Sequence, residues 1–302
     1  MIGGSGVYAL EGLANLRSEA ISSPFGEPSD SLLFGELAEQ PLVFLPRHGR
    51  GHQLGPSSID YRANIDAIKR SDATDLLSFS AVGSLREELP PGTFVIVDQF
   101  IDRTFARNKS FFGDGCVAHV SMADPTCKRL GDALEEALRG VGIPFVRGGT
   151  YLAMEGPQFS TRAESRLYRT WGCDVIGMTN MPEAKLAREA ELCYASLAMV
   201  TDYDCWRSDD ADVDVAEILA TMKQNTAHAQ AALAGVLPRL RDRPEACPHG
   251  CDRALEFAIL TPPEARDPAL VAKLDAVAGR VLWPRPTTAV RSNGEPAEGS
   301  ES

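Results

Sequence analysis

Five short apolar, β-branched runs set the fold class of this 302-residue chain: Leu42–Leu45, Leu76–Ser80, Phe94–Val97, Asp174–Met178 and Ala195–Val200. Each has the length of a strand, and several are apolar at successive rather than alternate positions. A strand that is apolar on both faces must be covered on both faces, which places it in a sheet between layers of helix. The cover is also legible. Tyr61–Arg70, Thr126–Arg139, Thr161–Trp171 and Glu183–Leu192 have helical spacing, and the third opens with Thr161 and Glu164 at the spacing of a capping box. Strand and helix alternate through most of the chain. The expected architecture is therefore α/β, a single domain with a central mixed, largely parallel sheet flanked by helices.

A long Ala-rich helical pattern, Val215–Leu240, closes that domain at residues 1–240. Residues 241–283 read as an appendage and 284–302, rich in Pro, Gly, Ser and Glu, as a disordered tail. Acidic residues outnumber basic ones 42 to 30, a net charge of −12. Such a surface repels phosphate backbones and anionic lipid, so neither nucleic acid nor membrane is an expected partner. No apolar run is long enough to span a bilayer, and the first residues lack the basic and apolar segments of a signal peptide. A cytoplasmic location is expected. The seven cysteines are then expected to be reduced. Cys247 and Cys251 flank His249 and could ligate zinc, but no second ligand pair stands at the usual spacing. The expected reading is a redox-labile pair or a plain loop, with no metal.

Four segments could carry chemistry. Gly3–Gly6 contains Gly-x-Gly-x-x-Ala through Gly4, Gly6 and Ala9, but lacks the long helix a dinucleotide fingerprint requires. A small anion nest formed by backbone amides and the Ser5 hydroxyl fits better, and a plain turn fits too. Arg47 and His48 follow an apolar strand, where a charged fork and a switchable donor suit an oxyanion; a solvated basic loop is the alternative. Ser80 and Ala81 end another strand in small residues that let backbone N–H groups approach a ligand. Asp202 and Asp204 end the last strong strand two residues apart, on the same side of an extended segment. Like charges held close raise one pKa, and a carboxyl protonated near neutrality is a usable general acid. A turn with two solvated acids would look the same.

Taken in order, these segments carry a resemblance. Gly3–Gly6, Pro46–His52, Ser84–Glu88 ahead of Asp98–Thr104, Met154–Ser165, Met178–Ala184 and Thr201–Trp206 are similar to the methylthioadenosine phosphorylase branch of the trimeric purine nucleoside phosphorylases. The resemblance covers about residues 2–240. It implies phosphorolysis, in which phosphate attacks C1' of methylthioadenosine to give adenine and 5-methylthioribose 1-phosphate, with no cofactor beyond inorganic phosphate. It also implies a phosphate pocket of Ser5, Arg47, His48, Ser80, Ala81 and Thr179. Met178 would lie against the ribose, and Phe159 would stack on the purine. Asp202 would protonate N7, and Asp204 would accept from the 6-amino group. Val215, Ile218 and Leu219 would form the slot for the methylthio group, although ordinary helix core would look alike. His119 would reach a neighbouring subunit's site in a homotrimer. Two departures stand out: Ser5 where Thr is common, and Gly177 where relatives often carry Asn. The rival readings are a phosphorylase for 6-oxopurine nucleosides or methylthioinosine, a hydrolytic nucleosidase, and an inactive nucleoside-binding protein.

Overall fold

The computed structural model describes residues 1–4, 12–207 and 215–283, with 215–219 described by their backbone alone. In chain order the strands are β1 (Ile2–Gly3), β2 (Ala14–Glu19), β3 (Leu32–Leu37), β4 (Gln40–Pro46), β5 (Asp75–Ser84), β6 (Phe94–Val97), β7 (Gln99–Arg103), β8 (Phe145–Arg147), β9 (Thr150–Met154), β10 (Val175–Gly177) and β11 (Cys193–Tyr203). The helices are α1 (Tyr61–Arg70), α2 (Lys128–Val141), α3 (Arg162–Thr170), α4 (Asn180–Glu189), α5 (Val215–Val236), α6 (Pro268–Lys273) and α7 (Asp275–Leu282). All five expected strands are present.

One path through the sheet runs β2-β3-β4-β1-β5-β10-β9-β7, and β11 pairs with β5 and β6. The strands at its centre run parallel: β1 with β4 and β5, and β5 with β11 from Asp75–Cys193 to Ser84–Tyr203. The expected double-sided burial is there. Cys193 through Thr201 are buried without interruption, as is the whole of β6. The outer hairpins β2-β3 and β3-β4 are antiparallel, and β2 is exposed throughout. Lacking a buried face, β2 has no apolar alternation by which its sequence could announce it.

The helices start and stop for local reasons. The Asp60 carboxylate accepts from the Ala63 amide and caps α1, while Lys69 and Arg70 sit in its last turn against the negative end of the helix dipole. At α3 the capping box is complete, with Thr161 and Glu164 each accepting from the other's backbone N–H. The end of α2 falls at Gly142, in left-handed conformation at φ 70°.

The C-terminal segment contributes to the main core. Leu255, Ala258, Leu274, Val277 and Ala278 are buried in one cluster with α1 and α4, and Cys247 and Cys251 are buried in another with α2 and β11. Arg70 pairs with Asp275, and Arg280 with Glu191 at 2.7 Å, which fastens α7 to the body of the fold.

Candidate active site

The strands bring the expected residues to one region of the sheet. Arg47 and His48 follow β4, Ser80 and Ala81 lie within β5, Met178 and Thr179 follow β10, and Asp202 and Asp204 lie at the end of β11. In β/α sheets a ligand crevice forms at carboxyl ends of parallel strands. Gly4, after β1, hydrogen-bonds the Phe79 carbonyl at 3.1 Å, so the start of the chain runs between β4 and β5. Ser5 itself lies outside the described residues.

Arg47 is wholly buried, and most of its donors are spent on the protein. Nε and Nη2 donate to the Glu183 carboxylate at 2.7 and 3.1 Å, Nη2 also to Ser78 at 2.7 Å, and Nη1 to the Phe79 carbonyl at 3.1 Å. Of a guanidinium's five N–H groups, one on Nη1 remains outside these bonds. That atom lies 2.6 Å from where a Cβ on Gly4 would be, so a residue with a side chain at position 4 would displace it. Arg47 thus presents one donor beside Gly4, rather than the two-pronged fork its sequence suggests.

His48 is buried and its ring stacks on His52 with centroids 4.2 Å apart. Its Nδ1 lies 2.8 Å from the Leu54 carbonyl oxygen, which can only accept, so Nδ1 carries the proton. Burial pushes the ring's pKa down to about 4, and Arg47 adds to the effect. The ring is neutral at physiological pH, with Nε2 as a bare acceptor.

Ser80 is 3.3 Å from the Tyr151 hydroxyl. Thr179 is the residue before α4, and its hydroxyl does not cap that helix. Met178 is held at its carbonyl by Arg107, 2.5 Å away, and the same guanidinium donates to the Met181 carbonyl at 2.7 Å.

The acid pair is placed by a bulge. The register of β11 against β5 shifts between Val200 and Asp202, setting Asp202 opposite Gly83. The Thr201 hydroxyl donates to Asp202 at 2.6 Å. Burial raises the Asp202 carboxyl to about 6, against the Thr201 hydrogen bond, and the neighbouring Asp204 pushes in the same direction as burial. Asp204 accepts from the Ser160 hydroxyl at 3.1 Å, and its amide is held by the Ser84 carbonyl at 2.9 Å. Gly83 lies against both: a Cβ there would stand in ordinary contact with Asp202 Oδ2 at 3.4 Å and the Asp204 Cβ at 3.5 Å.

Phe159 precedes Ser160, whose hydroxyl bonds Asp204, and its aromatic side chain is 84% exposed. His119 is exposed elsewhere, where its amide donates to the Ala258 carbonyl; no contact among the described residues joins it to the Asp202 loop. The side chains of Val215, Ile218 and Leu219 lie outside the described residues, although helix α5 begins at Val215.

Sequence reasoning missed the polar layer beneath the site. Glu183 is fully buried and accepts from Arg47, from Ser78 at 2.6 Å and from Tyr194 at 2.9 Å. Asn180 donates to Tyr194 and Ser196 at 2.8 and 2.6 Å. In the sequence Glu183 looks like an ordinary helix-surface acid, and its partner Arg47 is 136 residues away. The one available signal was Pro182, next to Met181, where the backbone departs from helical geometry. Two cavities, of about 830 and 940 Å³, are lined by none of these residues, so the assignment rests on the chemistry of the group.

The fold is thus an α/β sheet that carries a buried Arg–His pair and a raised carboxyl at neighbouring strand ends. The comparisons name the family: residues 1–238 match the phosphorylase superfamily, and the chain belongs to it. The S-methyl-5'-thioadenosine phosphorylase of Cereibacter sphaeroides is 62% identical over 93% of this chain and 97% of its own length. The protein of the same name from Rhodospirillum rubrum is 60% identical over 93% and 96%. Among solved structures, a methylthioadenosine phosphorylase from an antarctic soil metagenomic library superposes with a TM-score of 0.86 at 46% identity, covering 91% of this chain and 96% of that one. A Schistosoma mansoni adenosine/methylthioadenosine phosphorylase mutant, in complex with methylthioadenosine, gives 0.75 at 37% identity over 80% and 91%.

Proposed function

We propose that this protein is an S-methyl-5'-thioadenosine phosphorylase. An oxygen of inorganic phosphate bonds to C1' of the nucleoside as the bond from C1' to N9 breaks. The electron pair leaves with the purine, and Asp202 delivers a proton to N7, giving adenine and 5-methylthioribose 1-phosphate. Positive charge builds on the ribose and negative charge on the base, so an anion on one side and an acid on the other both lower the barrier. The observation that carries the reading is Asp202, a carboxyl raised to about 6 and set beside Asp204.

Ser5, Arg47, His48, Ser80, Ala81 and Thr179 hold the phosphate in this reading. Met178 lies against the ribose, Phe159 stacks on the purine, and Asp204 accepts from the 6-amino group. Val215, Ile218 and Leu219 receive the methylthio group. No metal or organic cofactor takes part in the reaction. Two carboxylates favour the amino group of adenine over the oxo group of hypoxanthine, which ranks the 6-oxopurine reading second.

The protein acts in the cytoplasm as a homotrimer, with His119 of a neighbouring copy completing the site. Two exposed apolar groups support that assembly. Phe105 and Phe159 are 81% and 84% exposed, and Phe257 and Leu260, near His119, are 93% and 60% exposed. A head-to-tail ring would bury one group against the other. No helix among the described residues is long and apolar enough to cross a membrane.

A side-by-side assay of methylthioadenosine and methylthioinosine with phosphate tests base choice. Faster release of adenine than of hypoxanthine is the expected result; the reverse would move the protein to the 6-oxopurine branch.

A further inference from the structure

Cys127, Cys193, Cys247 and Cys251 come from distant parts of the chain and meet at one point. Cys127 immediately precedes α2, Cys193 opens β11, and Cys247 and Cys251 flank a turn whose Gly250 is left-handed at φ 67°. Their four sulfurs all lie within 4.8 Å of one another, and those of Cys127 and Cys247 are 3.8 Å apart. All four residues are buried. A tetrahedral zinc ion with bonds to sulfur of about 2.3 Å has sulfur-to-sulfur edges of about 3.8 Å. The thiols are therefore already close to the spacing such an ion imposes. His249, which the sequence offers as a third ligand, is exposed and outside the group.

We propose that these four cysteines form a closed structural Zn²⁺ site that fastens the C-terminal segment to the enzyme core. The pair missing from the local spacing is supplied by the fold, since Cys127 and Cys193 complete the ligand set that Cys247 and Cys251 begin. Binding releases four thiol protons and leaves a cage of net charge −2. The surroundings suit that charge. Arg129 and Arg243 both pair with Asp75, the residue opposite Cys193 in the register of β5 and β11. Cys127 stands at the positive end of the α2 dipole, where thiolates are favoured. The Asp252 carboxylate accepts from the Cys247 amide at 2.7 Å and fixes the turn.

The site is structural by position. Cys193 and Asp202 lie at opposite ends of β11, nine residues apart and so roughly 30 Å. Four protein ligands also leave no open position for substrate.

The test is metal analysis of the full chain purified without chelator, combined with titration of its thiols by a mercurial in the presence of a zinc indicator. One zinc per chain, released as the thiols are modified, is expected. Cys247→Ser should lose the metal and Cys116→Ser, outside the group, should keep it. Replacing the metal of the wild-type protein with Co²⁺ gives a readout that does not depend on a variant folding. The expected spectrum shows thiolate-to-cobalt charge transfer and the intense visible bands of a tetrahedral site. Metal-free protein with four free thiols, or with an intact mass showing those thiols joined as disulfides, would overturn the proposal.

Discussion

The Tyr151 hydroxyl occupies the space in which a side chain at position 177 would begin: a Cβ on Gly177 would lie 1.9 Å from it and 2.6 Å from the ring carbon that bears it. Tyr151 is fully buried, and its hydroxyl lies 3.3 Å from that of Ser80. Gly177 is thus required by Tyr151, across the paired strands β9 and β10. Gly177→Ala should destabilise the protein by about 1–3 kcal/mol through overpacking. In combination with Tyr151→Val the two changes should cost less than their sum. Denaturant unfolding of the four proteins measures this; strict additivity would mean that the two residues are not coupled.

Asp202 should control both rate and pH dependence. Its protonated form is the acid, and with a pKa raised to about 6 that form is lost as pH rises through this value. For the wild type, kcat/KM on methylthioadenosine should therefore fall on the alkaline side, since that ratio reports the free enzyme. Asp202→Asn should lower turnover by about 10²–10⁴-fold, flatten that limb and relatively favour 6-oxopurine nucleosides. An unchanged rate would remove Asp202 from the role.

Glu183 should act through Arg47. The pair is wholly buried, and removal of one partner leaves an uncompensated charge in the core. Glu183→Ala should cost about 3–5 kcal/mol of stability, and in the protein that remains folded KM for phosphate should rise more than KM for nucleoside. Equilibrium unfolding and the two KM values check this. Equal effects on both KM values would reduce Glu183 to a purely structural residue.

Phosphate should bind without taking up a proton. In the free protein the Leu54 carbonyl holds the His48 proton on Nδ1, which leaves Nε2 able only to accept. Above its second ionisation phosphate is a dianion that keeps one P–O–H, and that hydroxyl can donate to the Nε2 lone pair. Burial holds the ring's pKa down to about 4, so the ring stays neutral as the anion binds. Calorimetry in buffers of different ionisation heat should record no net uptake at that pH, and His48→Asn should weaken phosphate binding. Uptake of a full proton would contradict the geometry.

The parts of the fold legible in the sequence were those with a buried face or a local cap. Tyr61–Arg70 matches α1 end for end because Asp60 caps it and its apolar positions repeat at helical spacing. β2 was invisible because it buries nothing, and β7 to β9 because they are short, with Gly148 and Gly149 separating β8 from β9. At the site, two acids two residues apart after an apolar strand marked Asp202 and Asp204 as candidates. Tyr151, Ser78, Asn180 and Glu183 could not. Their functions depend on which strands are neighbours, and local spacing does not encode that. The same holds for the four-cysteine group, half of whose ligands are local and half tertiary.

The central claim, that phosphate is the nucleophile, is tested most directly by following ³¹P resonances while adenine appears from methylthioadenosine. The expected result is loss of the inorganic phosphate signal and growth of a sugar 1-phosphate signal, in step with adenine. Adenine release with the phosphate signal unchanged would mean hydrolysis, and would contradict the anion assignment of Arg47, His48, Ser80 and Thr179.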